Sequence, residues 1–207
     1  MKLIDSIVTQ AAGIAAIRRD LHAHPELAYE EVRTADVVAA RLTEWGIPIH
    51  RGLGTTGVVG IVKNGTSDRA VGLRADMDAL PIHELNTFDH ASQHQGKMHA
   101  CGHDGHAAML LGAAAVLKRR ESEIKGTIRL IWQPAEEGGA GGKRMVEEGV
   151  LSMEPKPQAA FGFHQWPFLP LGSIGGRPGP MLAATELFDI VVSGVGGHAA
   201  MCATSVT

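Results

Sequence analysis

The chain has 207 residues, of which 44% are hydrophobic and 20% are charged, a balance typical of a globular protein. The formal net charge is −3, which argues against a nucleic-acid or anionic-membrane partner because both require a basic surface. The only two cysteines, Cys101 and Cys202, lie far apart, and the N-terminus lacks the apolar core of a signal peptide. The longest apolar stretch, 107–117, is too short to cross a bilayer. We therefore expect a reduced, cytoplasmic protein without a membrane segment.

Hydrophobic periodicity predicts an α/β protein. Two helices open the chain, and after them short β-branched or apolar runs alternate with further helical segments. The helices are predicted at 3–24, 30–45, 105–119 and 143–149, and the strands at 57–62, 70–75, 127–132 and 159–163, the last of which is predicted to be buried. Strands that alternate with helices predict a largely parallel sheet flanked by helices.

A change of composition predicts a second domain near the end of the chain. Residues 172–180 are rich in glycine and proline, and 186–193 resemble a strand of alternating character. We interpret 1–181 as the first domain and 182–207 as the beginning of the second.

Polar side chains follow three of the predicted strands. Asp76 and Asp78 come directly after one strand, Glu136 and Glu137 after the next, and His164 after the last. Ligands in α/β proteins bind beyond the carboxyl ends of parallel strands. We therefore expect these side chains to meet at one edge of the sheet.

The residue types in these clusters are those of a metal site. Eleven histidines occur in the chain, crowded between His83 and His106, and a thiol and an imidazole are one residue apart in Cys101-Gly102-His103. Each residue taken alone also has an ordinary structural explanation, such as a surface carboxylate or a hydrogen-bonded histidine. Taken together, they favour metal-assisted hydrolysis, in which a carboxylate that binds no metal moves the proton.

Five segments resemble the conserved blocks of the hippurate hydrolase family, a group of N-acyl-amino-acid and auxin-conjugate amidohydrolases related to aminoacylase and carboxypeptidase metallopeptidases. They are RRDLHAHPELAYEE at 18–31, GLRADMDALPI at 72–82, MHACGHDGHAAMLLGAA at 98–114, QPAEEGGAGG at 133–142 and GVGGHAAM at 194–201. The resemblance implies a zinc-exopeptidase-like catalytic domain followed by the start of an α+β lid or dimerisation domain. It also implies hydrolysis of the amide bond of small N-acyl amino acids such as hippurate.

The resemblance implies a pair of divalent metal ions. Cys101 would bridge the two ions, His103 and His164 would complete one site, and Glu137 would bind the other. This mixture of thiolate, imidazole and carboxylate accepts Zn, Mn, Co or Ni, so the sequence leaves the metal open.

Other roles are also implied by the resemblance. Glu136 would be the general base and acid, and Asp78 would orient a metal ligand. His198 would stabilise the oxyanion from the lid domain, often across a dimer, so a homo-oligomer is expected. His99 and His106 flank the cluster and are candidates for contacts behind the ligands.

Three alternatives remain open at this point. Family members continue past residue 207, and that further segment carries another histidine ligand, so the chain as given is expected to hydrolyse its substrate poorly or not at all. It would then be an inactive homologue with partial metal binding. A related dipeptidase or deacetylase is a second alternative. A thiol enzyme that uses Cys101 with His103 comes last, because it leaves the Glu136-Glu137 pair unexplained.

Overall fold

A computed structural model of the chain describes residues 5–184, 186, 188–194, 196–198 and 200. The chain divides into two compact units, Met1–Trp166 and Pro167–Thr207. All the helices and strands of more than one residue that are described belong to the first unit.

Within residues 5–166, the first unit contains five α-helices and five strands. The helices are α1 (Asp5–Val8), α2 (Ala11–Ala23), α3 (Val32–Glu44), α4 (His103–Arg119) and α5 (Gly141–Glu147), and the strands are β1 (Ile49–Leu53), β2 (Gly57–Asn64), β3 (Ala70–Asp76), β4 (Gly126–Gln133) and β5 (Pro157–Gly162). A short 3-10 turn, Glu121–Glu123, follows α4.

The strands form one mixed sheet in the order β1-β2-β4-β3-β5. β3 pairs in parallel with β4 on one side and with β5 on the other, whereas β2 is antiparallel to both β1 and β4. Four of the five strands therefore run in one direction. The α/β class with flanking helices is confirmed, and the antiparallel pairs come from the β1-β2 hairpin, which short connections allow.

Helices cover both faces of the sheet. Leu21 of α2, Leu42 of α3 and Leu111 of α4 belong to one buried core with Trp132 of β4. On the opposite face, Met145 of α5 packs with residues of β2 and β4. This division follows from the alternation of side chains along each strand. Because α4 is buried against the sheet, its first turn has a rigid support.

The structure differs from the predicted elements at three places. The first helix is interrupted at Thr9 and Gln10, so 3–24 becomes α1 and α2 within the described residues. β1 was not predicted, because its sequence IHRGL has three exposed central residues and no buried face. The strand predicted at 159–163 exists as β5, but it lies at the edge of the sheet and is exposed rather than buried.

The second unit differs from its prediction. Among the described positions of 186–193, no strand is present, because none of these residues pairs with another strand. The predicted domain boundary at 181/182 stays a prediction. No helix in the described part of the chain combines the length and apolar character needed to cross a membrane.

Candidate metal centre

The polar clusters that follow the strands meet at one edge of the sheet, as the sequence predicts. Asp76 is the last residue of β3 and pairs with the last residue of β4, Gln133, directly before the loop that carries Glu136 and Glu137. His164 follows the neighbouring strand β5. The first turn of α4 points into the same edge and supplies His103.

Three groups of possible ligand atoms share His103, and two of them contain the predicted ligands. Its ring lies with Cys101 and His164 in a set whose donor atoms are all within 4.8 Å of one another, and with Glu136 and Glu137 in a second such set. Cys101 Sγ is 3.4 Å from His164 Nε2, and His103 Nε2 is 3.7 Å from Glu137 Oε1. Two ligands of one tetrahedral zinc ion stand about 3.4 Å apart, so these spacings suit ligand pairs.

Two unpartnered side-chain atoms of this cluster fit a bound metal ion. His103 Nε2 and a carboxylate oxygen of Glu137 are both buried without a hydrogen-bond partner among the described residues. A buried polar atom left without a partner costs roughly 1–3 kcal/mol, so such atoms are rare unless something else satisfies them. Metal coordination would satisfy both atoms at once.

Asp78 lies behind His103. Its backbone oxygen and its Oδ1 are 2.8 and 3.2 Å from His103 Nδ1, and its Oδ2 accepts a hydrogen bond of 2.8 Å from the Glu137 backbone N–H. Burial raises the pKa of Asp78, but the hydrogen bonds from His103 and from the backbone outweigh burial and lower it. Because Nδ1 is held in this way, Nε2 is the nitrogen that His103 presents to the site.

The loop that carries Glu136 and Glu137 is hydrogen-bonded by side chains for which the sequence predicted no role. Glu31 is fully buried; its Oε1 accepts a 2.8 Å hydrogen bond from the Ala135 backbone N–H, and its Oε2 accepts one of 2.5 Å from the Thr56 hydroxyl. Tyr29 donates to the Gly139 carbonyl oxygen. Burial raises the pKa of Glu31 in spite of these bonds. Nothing in the local sequence distinguishes this buried glutamate from its exposed neighbour.

The thiol of Cys101 is unsuited to act as a free nucleophile. Burial raises its pKa to about 12, and the nearby carboxylate of Glu137 adds to the effect. A reactive cysteine needs a lowered pKa. The thiol-enzyme hypothesis therefore loses support, whereas a metal ligand would lose its proton to the bound ion.

A second buried polar cluster lies beside the site but points elsewhere. His22 is hydrogen-bonded to Asp104 at 2.8 Å and to Glu84 at 3.1 Å, and Arg18 forms an ion pair of 2.7 Å with Asp104. The Asp104 hydrogen bond is the largest cause of the raised pKa of His22. The acidic residue next to His103 thus orients His22, and the orientation of His103 comes from Asp78.

The other candidate histidines differ in their surroundings. Burial lowers the pKa of His99 to about 4, so the ring is neutral, and neither of its nitrogens has a hydrogen-bond partner in the described part of the chain. His198 lies in the second unit, is exposed, and accepts a hydrogen bond from the Ala200 N–H. Its role stays a prediction. Cys202 lies outside the described residues.

Known proteins are similar to this chain in sequence and in fold. IAA-amino acid hydrolase ILR1-like 4 of Arabidopsis thaliana is 50% identical over 188 residues, which cover 91% of this chain and 42% of that relative. Hippurate hydrolase of Campylobacter jejuni is 41% identical over 198 residues, 96% of this chain and 51% of the relative. The solved structure of the YXEP protein of Bacillus subtilis, described as a dinuclear metal binding peptidase from the M20 family, superposes with a TM-score of 0.79 at 42% identity. It covers 84% of this chain and 48% of that protein.

The sequence profile of peptidase family M20/M25/M40 matches residues 72–205, and the chain belongs to this family. The resemblance to hippurate hydrolases is confirmed by these matches. The chain spans about half the length of these relatives.

Proposed function

We propose that the protein is a metal-dependent amidohydrolase that cleaves the amide bond of N-acyl amino acids. The observation that carries the proposal is the unpartnered, buried Nε2 of His103, which faces the carboxylates of Glu136 and Glu137. The similar proteins named for hydrolysis of IAA-amino acids and hippurate favour a substrate of this class.

Four side chains would hold the metal ions. Cys101, His103 and His164 supply one set of donors, and Glu137 supplies a carboxylate beside it. When bound, divalent ions at this site would supply a water of lowered pKa and polarise the amide carbonyl. The donor set suits Zn, Mn, Co or Ni, and the dinuclear relative supports a pair of ions.

We assign the proton transfer to Glu136. Its side chain is 43% exposed and its Oε2 lies 3.9 Å from His103 Nε2, so it reaches the site from the open side. It would accept a proton from the attacking water and deliver it to the amine as the C–N bond breaks. Its neighbour Glu137 is more buried and has one oxygen without a partner, which fits a ligand rather than a base.

The remaining roles come from the resemblance. We assign Asp78 to the orientation of His103, which its two contacts with Nδ1 support. We retain His198 as the donor that stabilises the oxyanion, with a small N-acyl amino acid as substrate and a homo-oligomer as the working form. An inactive homologue that still binds metal is the alternative, and a turnover assay separates it from the enzyme.

The test is Glu136→Gln in a polypeptide extended to the length of the relatives. Hippurate, N-acetyl amino acids, IAA-amino acids and dipeptides are assayed with Mn²⁺, Zn²⁺, Co²⁺ or Ni²⁺. The variant should lose at least a hundredfold in turnover with unchanged metal content, because the amide cannot accept the proton. Glu147→Gln, a change of the same kind at an exposed glutamate, is the control. Near-normal turnover by Glu136→Gln, or loss of its metal, would show that Glu136 is not the base.

A further inference from the structure

His106 is buried beside the candidate metal centre, and both of its ring nitrogens are engaged. Its Nδ1 is 2.6 Å from Asp76 Oδ1, and its Nε2 is 3.0 Å from the backbone nitrogen of Gln165. A backbone N–H can only donate, so Nε2 must be the acceptor and Nδ1 must carry the proton. His106 is therefore not available as a ligand, although its donor atoms lie within 4.8 Å of those of Asp76 and His103.

Asp76 fixes the proton on His106. Its side chain is 1% exposed, and its second oxygen is paired with Arg74 at 2.6 Å. Arg74 is itself held by a 2.9 Å hydrogen bond to Gln133. Burial raises the pKa of Asp76, but the hydrogen bond from His106 and the nearby positive charges bring it down to about 2. An ionised carboxylate at this position keeps the proton on Nδ1 of His106.

The Gln165 peptide connects His106 to His164. Its N–H donates to His106 Nε2, and its carbonyl oxygen accepts a 2.7 Å hydrogen bond from His164 Nδ1. His164 Nε2 is then the nitrogen that faces the thiol of Cys101, at 3.4 Å. The chain of contacts from Arg74 to His164 thus ends at a ring nitrogen aimed into the site.

Glycines at the start of α4 leave room for the Gln165 side chain. A Cβ at Gly102 would lie 2.5 Å from Gln165 Oε1, and one at Gly105 would lie 2.2 Å from Gln165 Nε2. Gly102 also has a φ of +87°, a conformation that side chains disfavour. The residue after His164 is therefore seated on the same helix turn that carries His103 and His106.

We propose that His106 is a positioning residue for His164: by holding the Gln165 peptide it fixes the ring orientation and the Nδ1-protonated form that present His164 Nε2 to a metal. The inference rests on the proposed function, since it concerns a ligand of that site. His164 follows β5, which is an exposed strand at the edge of the described sheet. Contacts behind a ligand typically change metal affinity 10- to 100-fold.

The first test needs no mutation. Long-range ¹H–¹⁵N spectra of the metal-free 207-residue chain report which ring nitrogen of each histidine carries the proton. Both His106 and His164 should be protonated on Nδ1 and not on Nε2. A His106 ring with its proton on Nε2 would overturn the proposal, because it could not accept from the Gln165 N–H.

The second test is a Co²⁺ titration, in which a thiolate-to-Co²⁺ absorption band reports the bond to Cys101. His106→Leu should weaken Co²⁺ binding at least tenfold, and His106→Gln should recover part of the loss because its amide carries a donor and an acceptor. In a His164→Ala background, His106→Leu should change the affinity less than twofold, since the partner through which it acts is gone. If His106→Leu caused only a structural defect, it would weaken Co²⁺ binding by the same factor in both backgrounds.

The control is Arg129→Met, which removes a buried guanidinium bonded to the Val150, Met153 and Pro155 carbonyl oxygens, away from the site. It should lower the thermal midpoint without changing Co²⁺ affinity. A wild-type chain without the thiolate band overturns the proposed function and the role of His106 with it. If the wild-type chain shows the band and His106→Leu binds Co²⁺ with the same affinity, only the proposed role of His106 is overturned.

Discussion

His103 and His164, the two histidines grouped with Cys101, have contrasting surroundings. His103 is fully buried in the first turn of α4, and Asp78 contacts it through two oxygens. His164 follows the exposed strand β5 at the edge of the sheet, and its orientation depends on the peptide of Gln165. One candidate ligand is thus part of the core, whereas the other is positioned by a chain of hydrogen bonds.

Two candidate ligands of one site thus differ in how their positions are fixed. A buried ligand inherits its position from packing, because a dense core allows few alternative rotamers. A ligand on an exposed segment needs a dedicated set of contacts to reach the same precision.

The largest expected effect separates the two regions by packing. Leu111 is completely buried in α4, and Phe161 of β5 is 57% exposed. Leu111→Ala should lower the free energy of unfolding by about 2–5 kcal/mol, because it leaves a cavity in the core. Phe161→Ala should cost less than about 1 kcal/mol. Urea unfolding of the 207-residue chain measures both, and equal losses would show that β5 is as well packed as α4.

The next largest effect is expected on metal affinity when the contact between Asp78 and His103 is changed. Asp78→Asn replaces an oxygen that accepts hydrogen bonds by an amide nitrogen that cannot. We expect Co²⁺ binding to weaken by about 10- to 100-fold. Asp20→Asn, at a half-exposed aspartate paired with Arg33, is the matched control. If Asp78→Asn bound Co²⁺ like the wild type, Asp78 would not orient His103.

A smaller effect concerns the loop that carries Glu136. The pKa of Glu31 is raised by burial above its ordinary value of 4.5. A raised pKa means that the contribution of this group to stability is complete below pH 4.5 and is lost as pH rises through the folded-state pKa. The free energy of unfolding of Glu31→Gln, relative to the wild type, should therefore increase between pH 4 and pH 7. Thermal unfolding at several pH values measures it, and a difference that is flat or falls with pH would contradict the burial account.

Much of the site could be predicted because its residues follow strand ends. The placement of Asp78, Glu137 and His164 after three strands needed only hydrophobic patterning and the rule for parallel sheets. The short spacing of Cys101 and His103 added a likeness to metal sites. These signals are local in sequence, so the candidate site at the sheet edge could be predicted from the sequence alone.

Other features could not be predicted because they depend on contacts far apart in the chain. Glu31 is buried only because Thr56 and the Ala135 backbone satisfy it, and they lie 25 and 104 residues away. The exposure of β5 depends on its place at the edge of the sheet, which an apolar run does not reveal. The partner of Asp104 was likewise hidden, since His22 lies 82 residues away.

We expect Cys101, His103 and His164 to hold one metal ion together. The most direct measurement is anomalous diffraction at the zinc edge from crystals of the 207-residue chain grown with Zn²⁺. We predict a peak at about 2.3 Å from Cys101 Sγ and about 2.0–2.1 Å from the Nε2 atoms of His103 and His164. The absence of a zinc peak at these three atoms would show that they do not form a metal site.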